Sequence, residues 1–262
     1  MPVAALEAEL TALSDPGIKA FGDALQPGIV NRIGVRMPLV RKTARSVMKG
    51  DVPAFLEAAL APGALRFQET VMVTGLVIGR AKGLSPEARL AYTRRYLPNL
   101  DGWATCDLFG TALTVFKEDR EGMWPFVLSC LADQNRWTVR TAMVWILEQY
   151  RVSEWSKRTL AALMTPHTLR LAAEEYYISM ALAWALSMIF TVSPDLTADR
   201  MAAHLNAGEV DRRTVVRALQ KIRDSYRVTD EGKRAVTARF APLLAAAKAR
   251  EKTPDRRNAA PR

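Results

Sequence analysis

The sequence predicts an all-α protein built as a HEAT-like helical-repeat solenoid with a concave basic groove, and three observations lead there. Strand signals are nearly missing: there is no Asn-Gly or Asp-Gly hairpin and no sustained period-two alternation. Apolar residues instead recur at three and four positions in five long segments, the spacing of helices with one buried face. Those segments begin near Arg66, Asp101, Asn135, Glu174 and Arg212, in steps of 35, 34, 39 and 38 residues. Between each pair lies a shorter helical stretch bounded by Pro, Gly, Asn or Asp, so the unit is a two-helix repeat of about forty residues.

Taken in order, "MPVAALEAEL" is acidic and has no basic region ahead of an apolar one, so it does not read as a secretory signal. In "FGDALQPGIVNRIGVRMP" the run Gln26-Pro27-Gly28 should break a helix, because proline removes a backbone donor and glycine favours a turn. "RFQETVMVTGLVIGRAK" begins the first long segment. Its region carries Gly75, Gly79 and Gly83 four apart, a spacing that lets a neighbouring helix come close; without a Gly-Lys-Ser/Thr ending it is no phosphate loop. "WATCDLFGTALTVFKE" sets Trp103 and Asp107 one helical turn apart on a single face. "RWTVRTAMVWILEQY" does the same for Arg136 and Arg140, while Met143 and Trp145 should pack inward. "YYISMALAWALSMIF" carries Trp184. "DRRTVVRALQKIRDSYR" strings Arg213, Arg217 and Lys221 along one side of a helix, with Arg212 nearby. The expected domain runs from 1 to 245, and 246–262 reads as a basic, disordered tail, charged and poor in aromatics.

Charge is concentrated at one end. From Arg212 onward there are 15 Lys+Arg against 5 Asp+Glu, whereas the first 211 residues balance at 22 against 22; the chain totals +10. Such an end suits an anionic partner. Cys106, Cys130, His167 and His204 are too few and too scattered for a zinc site or a disulfide framework, so no metal is expected. Apolar runs fall short of a bilayer span, and the expected location is the cytoplasm, with no membrane partner.

Each candidate residue also has a structural explanation. Trp103 and Trp184 on apolar helices are commonly core residues. Asp107 fits as a cap or an arginine partner, and Arg136 with Arg140 fits as a solvated basic edge. As a set, however, they recur at the same place in successive repeats, where a solenoid would bring Trp103, Asp107, Arg140 and Trp184 into a common groove. Arginines at repeat spacing would follow a phosphate backbone and release its counterions, and aromatic rings between them would pack against sugars or bases. An acid in that setting suggests chemistry. When a base leaves deoxyribose, positive charge develops on the sugar, and a carboxylate can stabilise it or orient water. Asp107, held ionised by Arg140, fills that role provided the leaving base needs no protonation.

The "WATCD" of residues 103–107, the "WTVRTA" of 137–142 and the "YISMALAWALS" around Trp184 resemble the signature helices of the HEAT-like-repeat DNA alkylation repair family, the AlkD-like proteins. The resemblance spans roughly residues 6–244. It implies removal of cationic N3- or N7-alkylpurines from double-stranded DNA without a flipped-base pocket and without a cofactor. It further implies that Trp103 and Trp184 pack against the lesion's deoxyribose, Asp107 stabilises the oxocarbenium ion or positions water, and Arg140 holds the backbone. One departure matters: the glycosylase branch has an extra N-terminal helix with an aromatic that presses on DNA. Here the Gln26-Pro27-Gly28 break and Leu25 stand in that stretch. With Ser179 and Met180 they make the chain more similar to a sister branch that lacks this helix. The expected function is therefore an alkylpurine DNA N-glycosylase acting as a monomer on alkylated or branched duplexes. The alternative is a non-catalytic DNA-binding protein of the same fold; a protein-interaction scaffold would leave Asp107 and the arginines unexplained.

Overall fold

The structure, a computed structural model, describes residues 1–252. Among them are fifteen α-helices and no strand, as the helical periodicity predicts. Residue contacts gather into two compact units, Met1–Gln149 and the chain from Tyr150 onward, where the sequence suggested a single domain over 1–245.

The first unit comprises α1 (Val3–Ala12), α2 (Pro16–Leu25), α3 (Met37–Val47), α4 (Val52–Ala59), α5 (Gln68–Arg80), α6 (Pro86–Tyr96), α7 (Trp103–Ala112), α8 (Arg120–Leu131) and α9 (Arg136–Gln149). The second comprises α10 (Ser156–Leu163), α11 (Pro166–Glu174), α12 (Tyr176–Phe190), α13 (Pro194–Ala207), α14 (Arg212–Asp224) and α15 (Asp230–Lys252). Local chemistry sets many of these starts. Pro16, Pro38, Pro53, Pro86, Pro166 and Pro194 all fall in first turns, where the missing N–H has no intrahelical partner to lose. Asp15, Asp51, Ser85, Asp119 and Thr165 accept backbone N–H bonds as N-caps, each worth about 1 kcal/mol.

The repeat is visible in the helix starts. The long helices α5, α7, α9, α12 and α14 begin at residues 68, 103, 136, 176 and 212, within two residues of the expected positions. In the first unit α5 packs on α7 and α7 on α9; in the second α12 packs on α14. A short partner lies between consecutive long helices, except that two, α10 and α11, precede α12. The sequence predicts one short helix in that step; Thr165 and Pro166 cap and start α11 as a second one and lengthen it.

Gly79 and Gly83 divide the work that their spacing appeared to share. A Cβ on Gly79 would sit 2.8 Å from the backbone of Ala112, so this residue permits α5 and α7 to touch. Gly83 lies beyond the end of α5 at φ +84°, a turn position that L side chains rarely adopt. The break expected at Gln26-Pro27-Gly28 is present: α2 stops at Leu25, and Gly28 takes φ +94°. At the other end α15 continues helical over 246–252, the first part of the expected tail; residues 253–262 lie outside the described residues.

The core of the first unit is aromatic. Trp145 and Phe116 meet edge-on at 4.9 Å, and Tyr96 and Phe109 at 4.7 Å, all fully buried. Tyr96 donates its hydroxyl proton to the Val71 carbonyl at 2.9 Å, and burial pushes its ionisation well above the ordinary tyrosine value. Met143 is fully buried as well, so the inward-facing side of α9 is read correctly from sequence.

Candidate functional site

Asp107 and Arg140 come from adjacent long helices and meet face to face. Arg140 Nε donates to Asp107 Oδ1 at 2.9 Å and Nη2 to Oδ2 at 2.8 Å, a bidentate fork. Such pairs are geometrically demanding and about twice as strong as neutral hydrogen bonds. The backbone approach that allows it is set one turn further along: a Cβ on Gly110 would collide with Val144, so only glycine lets α7 and α9 close at that level. The two partners are unequally covered. The Arg140 side chain is 7% exposed and that of Asp107 21% exposed, so the carboxylate is the member that still reaches solvent. The resemblance assigned Arg140 to the DNA backbone; the structure turns it to Asp107 and buries it.

Trp103 begins α7, half-buried, one helical turn before Asp107. It also forms part of a cleft of about 420 Å³ whose other walls come from α2, α3 and α5. Phe21 and Leu25 of α2 line this cleft, with Phe21 64% exposed. The sequence reading looked for an aromatic at Leu25; the exposed aromatic stands one turn earlier, on the helix that ends at the break. Polar side chains of the lining form a network that reaches out to Asp23. Arg32 donates from Nε to Gln68 Oε1 at 3.0 Å, from Nη2 to Gln26 Oε1 at 3.1 Å and from Nη1 to Asp23 Oδ1 at 2.8 Å. Lys19 first, and then Arg32, hold the Asp23 carboxyl below its usual range. Glu69 accepts backbone N–H bonds from Ile33, Gly34 and Val35.

Asp101 is a residue the sequence reading passed over. Its Oδ1 accepts from Thr105 Oγ at 3.1 Å, while Oδ2 is buried without a hydrogen-bond partner. The signal was its place just ahead of α7, which reads equally well as a helix-start residue.

Arg136 is exposed, its guanidinium 4.9 Å from the centre of the Trp137 ring. The remaining candidates belong to the second unit. Trp184 sits half-buried on α12. On α14, Arg213, Arg217 and Lys221 follow one another at four-residue spacing, as expected. Arg213 is exposed and pairs with Asp211 at 3.3 Å, and Lys221 is half-buried. Arg212 turns away to Glu251 on α15 at 3.0 Å. Arg217 reaches α12: Nη1 donates to Ser179 Oγ at 2.6 Å, and the guanidinium lies 5.1 Å from the Tyr176 ring. Ser179 in turn bonds Thr214 Oγ at 2.6 Å. Tyr176, 58% exposed, was missed from sequence because it looked like the first apolar residue of a buried helix.

Cys106 and Cys130 are buried, and burial pushes both thiols up to about 12, which makes them poor nucleophiles. Among the described residues no group of three or more His, Cys, Asp and Glu gathers as a metal site, and no helix is long and apolar enough to cross a membrane.

A family model described as DNA alkylation repair enzyme matches residues 6–222 of the chain, from α1 to near the end of α14. Among curated proteins and among solved structures, nothing matches it.

Proposed function

We propose that this chain, which belongs to the DNA alkylation repair enzyme family, is a DNA N-glycosylase that releases cationic N3- or N7-alkylpurines from duplex DNA, working as a monomer. The supporting observation is the Asp107–Arg140 fork beside Trp103. A guanidinium stays protonated at any physiological pH, so it holds a negative charge on Asp107 and fixes the orientation of that charge. The carboxylate keeps part of its surface in solvent, one helical turn from Trp103. A purine carrying an alkyl-generated positive charge leaves as a neutral base. The glycosidic electron pair goes with it, and the positive charge passes to the deoxyribose. Asp107 stabilises that cation, water adds at the anomeric carbon, and the water's surplus proton goes to solvent. Because the base is already cationic, no second acid is needed. Trp103 packs against the sugar, and Arg140 acts as a positioning residue for Asp107. In the second unit, Arg213, Arg217 and Lys221 hold phosphates, and Trp184 and Tyr176 offer rings to the sugars or bases.

Release of free base from duplex DNA carrying N7-methylguanine tests this reading. Asp107→Asn should slow release by about 100-fold or more; release at the wild-type rate removes Asp107 from the chemistry. A second reading has its own observation. The fork satisfies both oxygens of Asp107, as a purely structural pair would, and the chain would then be a non-catalytic binder of alkylated or branched DNA. Under that reading wild-type protein releases no base yet still binds duplex with a steep salt dependence.

A further inference from the structure

All the surplus positive charge of the chain lies from Arg212 onward, and the face of α14 that carries Arg213, Arg217 and Lys221 accounts for only part of it. Arg223 stands on the same helix six positions after Arg217, about 120° round the axis at about 100° per residue. Arg217 turns back to α12, whereas Arg223 turns forward to α15. There it lines an open depression of about 410 Å³ with Lys233, Arg234, Thr237 and Ala238. All five residues lie past position 222, where the family match ends, so family membership assigns them nothing.

The cations of this corner are poorly neutralised. Arg223 donates to the neutral amide oxygen of Gln220 at 2.6 Å, and Arg234 is exposed; neither pairs with an acid among the described residues. Lys233 stands 3.6 Å from Asp230, whose side chain is 85% exposed, a pair of the kind that water and salt screen. The other acids nearby are turned elsewhere. Asp224 accepts from Gln220 Nε2 at 2.7 Å, and Glu231 lines a separate depression with residues of α13. By contrast, Arg212 and Arg239 pair with Glu251 and Asp199, and Arg250 donates to the Leu205 and Asn206 carbonyls. Lys233 and Arg234 also add to the positive N-terminal end of α15 rather than offsetting it.

The chemistry of the corner fits a phosphodiester backbone. Two of its three cations are arginines, whose planar fork matches phosphate oxygens. Tyr226, three residues after Arg223, is 82% exposed, and the Arg227 guanidinium lies 4.4 Å from its ring centre, so the turn offers a hydroxyl and a further cation of the kinds that contact nucleic-acid backbones. A membrane surface fits less well: Thr237 and Ala238 stand between the cations, without the large apolar side chains that bury in lipid.

We propose that the α14–α15 corner is a second phosphate-binding surface, which contacts the DNA backbone in addition to the Arg213, Arg217 and Lys221 face and is indifferent to base sequence and alkylation. The inference rests on the DNA-binding reading above and is independent of base release.

Duplex binding by the full chain, followed as log affinity against log salt, tests it. The corner variant Arg223→Ala/Arg234→Ala should flatten the slope by about 2, one unit for each lost phosphate contact, and should do so equally on unmodified duplex and on duplex carrying N7-methylguanine. The control Arg212→Ala/Arg239→Ala removes the same charge from arginines that already pair with acids and should change the slope much less. A corner variant with the wild-type slope, or one no flatter than the control, overturns the proposal, as does a wild type that does not bind duplex. If Arg217→Ala flattens the slope and the corner variant does not, the second surface fails and the α14 face stands; a flatter slope in the corner variant alone means the reverse. Binding to phosphatidylserine–phosphatidylcholine vesicles that is lost in the corner variant, with the DNA slope unchanged, assigns the corner to a membrane and overturns the proposal.

Discussion

Two arginines at corresponding places in the repeat end in different chemistry. Arg140 on α9 reaches back to α7, and Arg217 on α14 reaches back to α12, each to the preceding long helix of its own unit. Arg140 meets a carboxylate, closes a two-bond fork and is almost wholly buried. Arg217 meets the neutral hydroxyl of Ser179 and lies against the exposed ring of Tyr176, with no ion pair among the described residues. The contrast shows that the residue at the receiving end decides what a cross-repeat arginine is for. An acid there consumes the positive charge and becomes a fixed anion. A hydroxyl there orients the guanidinium and leaves its charge available to a phosphate.

The largest effect should come from removing the buried member of the first pair. Arg140→Ala strands the Asp107 charge with only partial access to water, and loss of one partner of a buried pair costs about 3–5 kcal/mol. Chemical denaturation measures this. A loss below about 1 kcal/mol would place the fork with ordinary surface pairs. Arg217→Ala should leave denaturation nearly unchanged.

Next comes the approach of α7 to α9. Gly110→Ala drives a Cβ into Val144 and should cost about 1–3 kcal/mol, the usual penalty for overpacking. It should also separate Asp107 from Arg140, so base release should fall by more than the stability loss alone explains. An alanine that is neutral in both assays would show that the helices have room to adjust.

For the second arginine the effect lies in binding. Arg217→Ala should weaken duplex affinity on the order of tenfold and lower the slope of log affinity against log salt by about 1, as for one lost phosphate contact. An unchanged slope would move the phosphate contacts off α14. The smallest effect is predicted for the thiols. With Cys106 and Cys130 at about 12, the thiolate fraction at about pH 8 is on the order of one in ten thousand. Alkylation by iodoacetamide should therefore be negligible until denaturant is added.

The repeat was legible in sequence because its cause is local: apolar spacing fixes each long helix, and Pro with Ser, Thr or Asp fixes many of the starts. The same logic found Asp107, Arg140 and the face of α14 that holds Arg213, Arg217 and Lys221. It could not say which way an arginine turns. Arg140 was read both as an anchor for Asp107 and as a backbone contact, and only the packing at Gly110 and Val144 brings it to the acid. The cleft was invisible for a related reason. Phe21 and Gln26 lie far in the chain from Gln68 and Trp103, and nothing in their local spacing marks them as neighbours. Asp101 and Tyr176 were hidden by their positions, since a helix start explains each of them without function.

The most direct test of the account is single-turnover release of N7-methylguanine at saturating protein, run beside a salt titration of duplex binding for wild type and Asp107→Asn. The account predicts a drop in release of about 100-fold or more with the salt slope unchanged, because the acid acts on the sugar and the arginines of α14 hold the phosphates. Equal release by the two proteins, or no release by wild type, would contradict it.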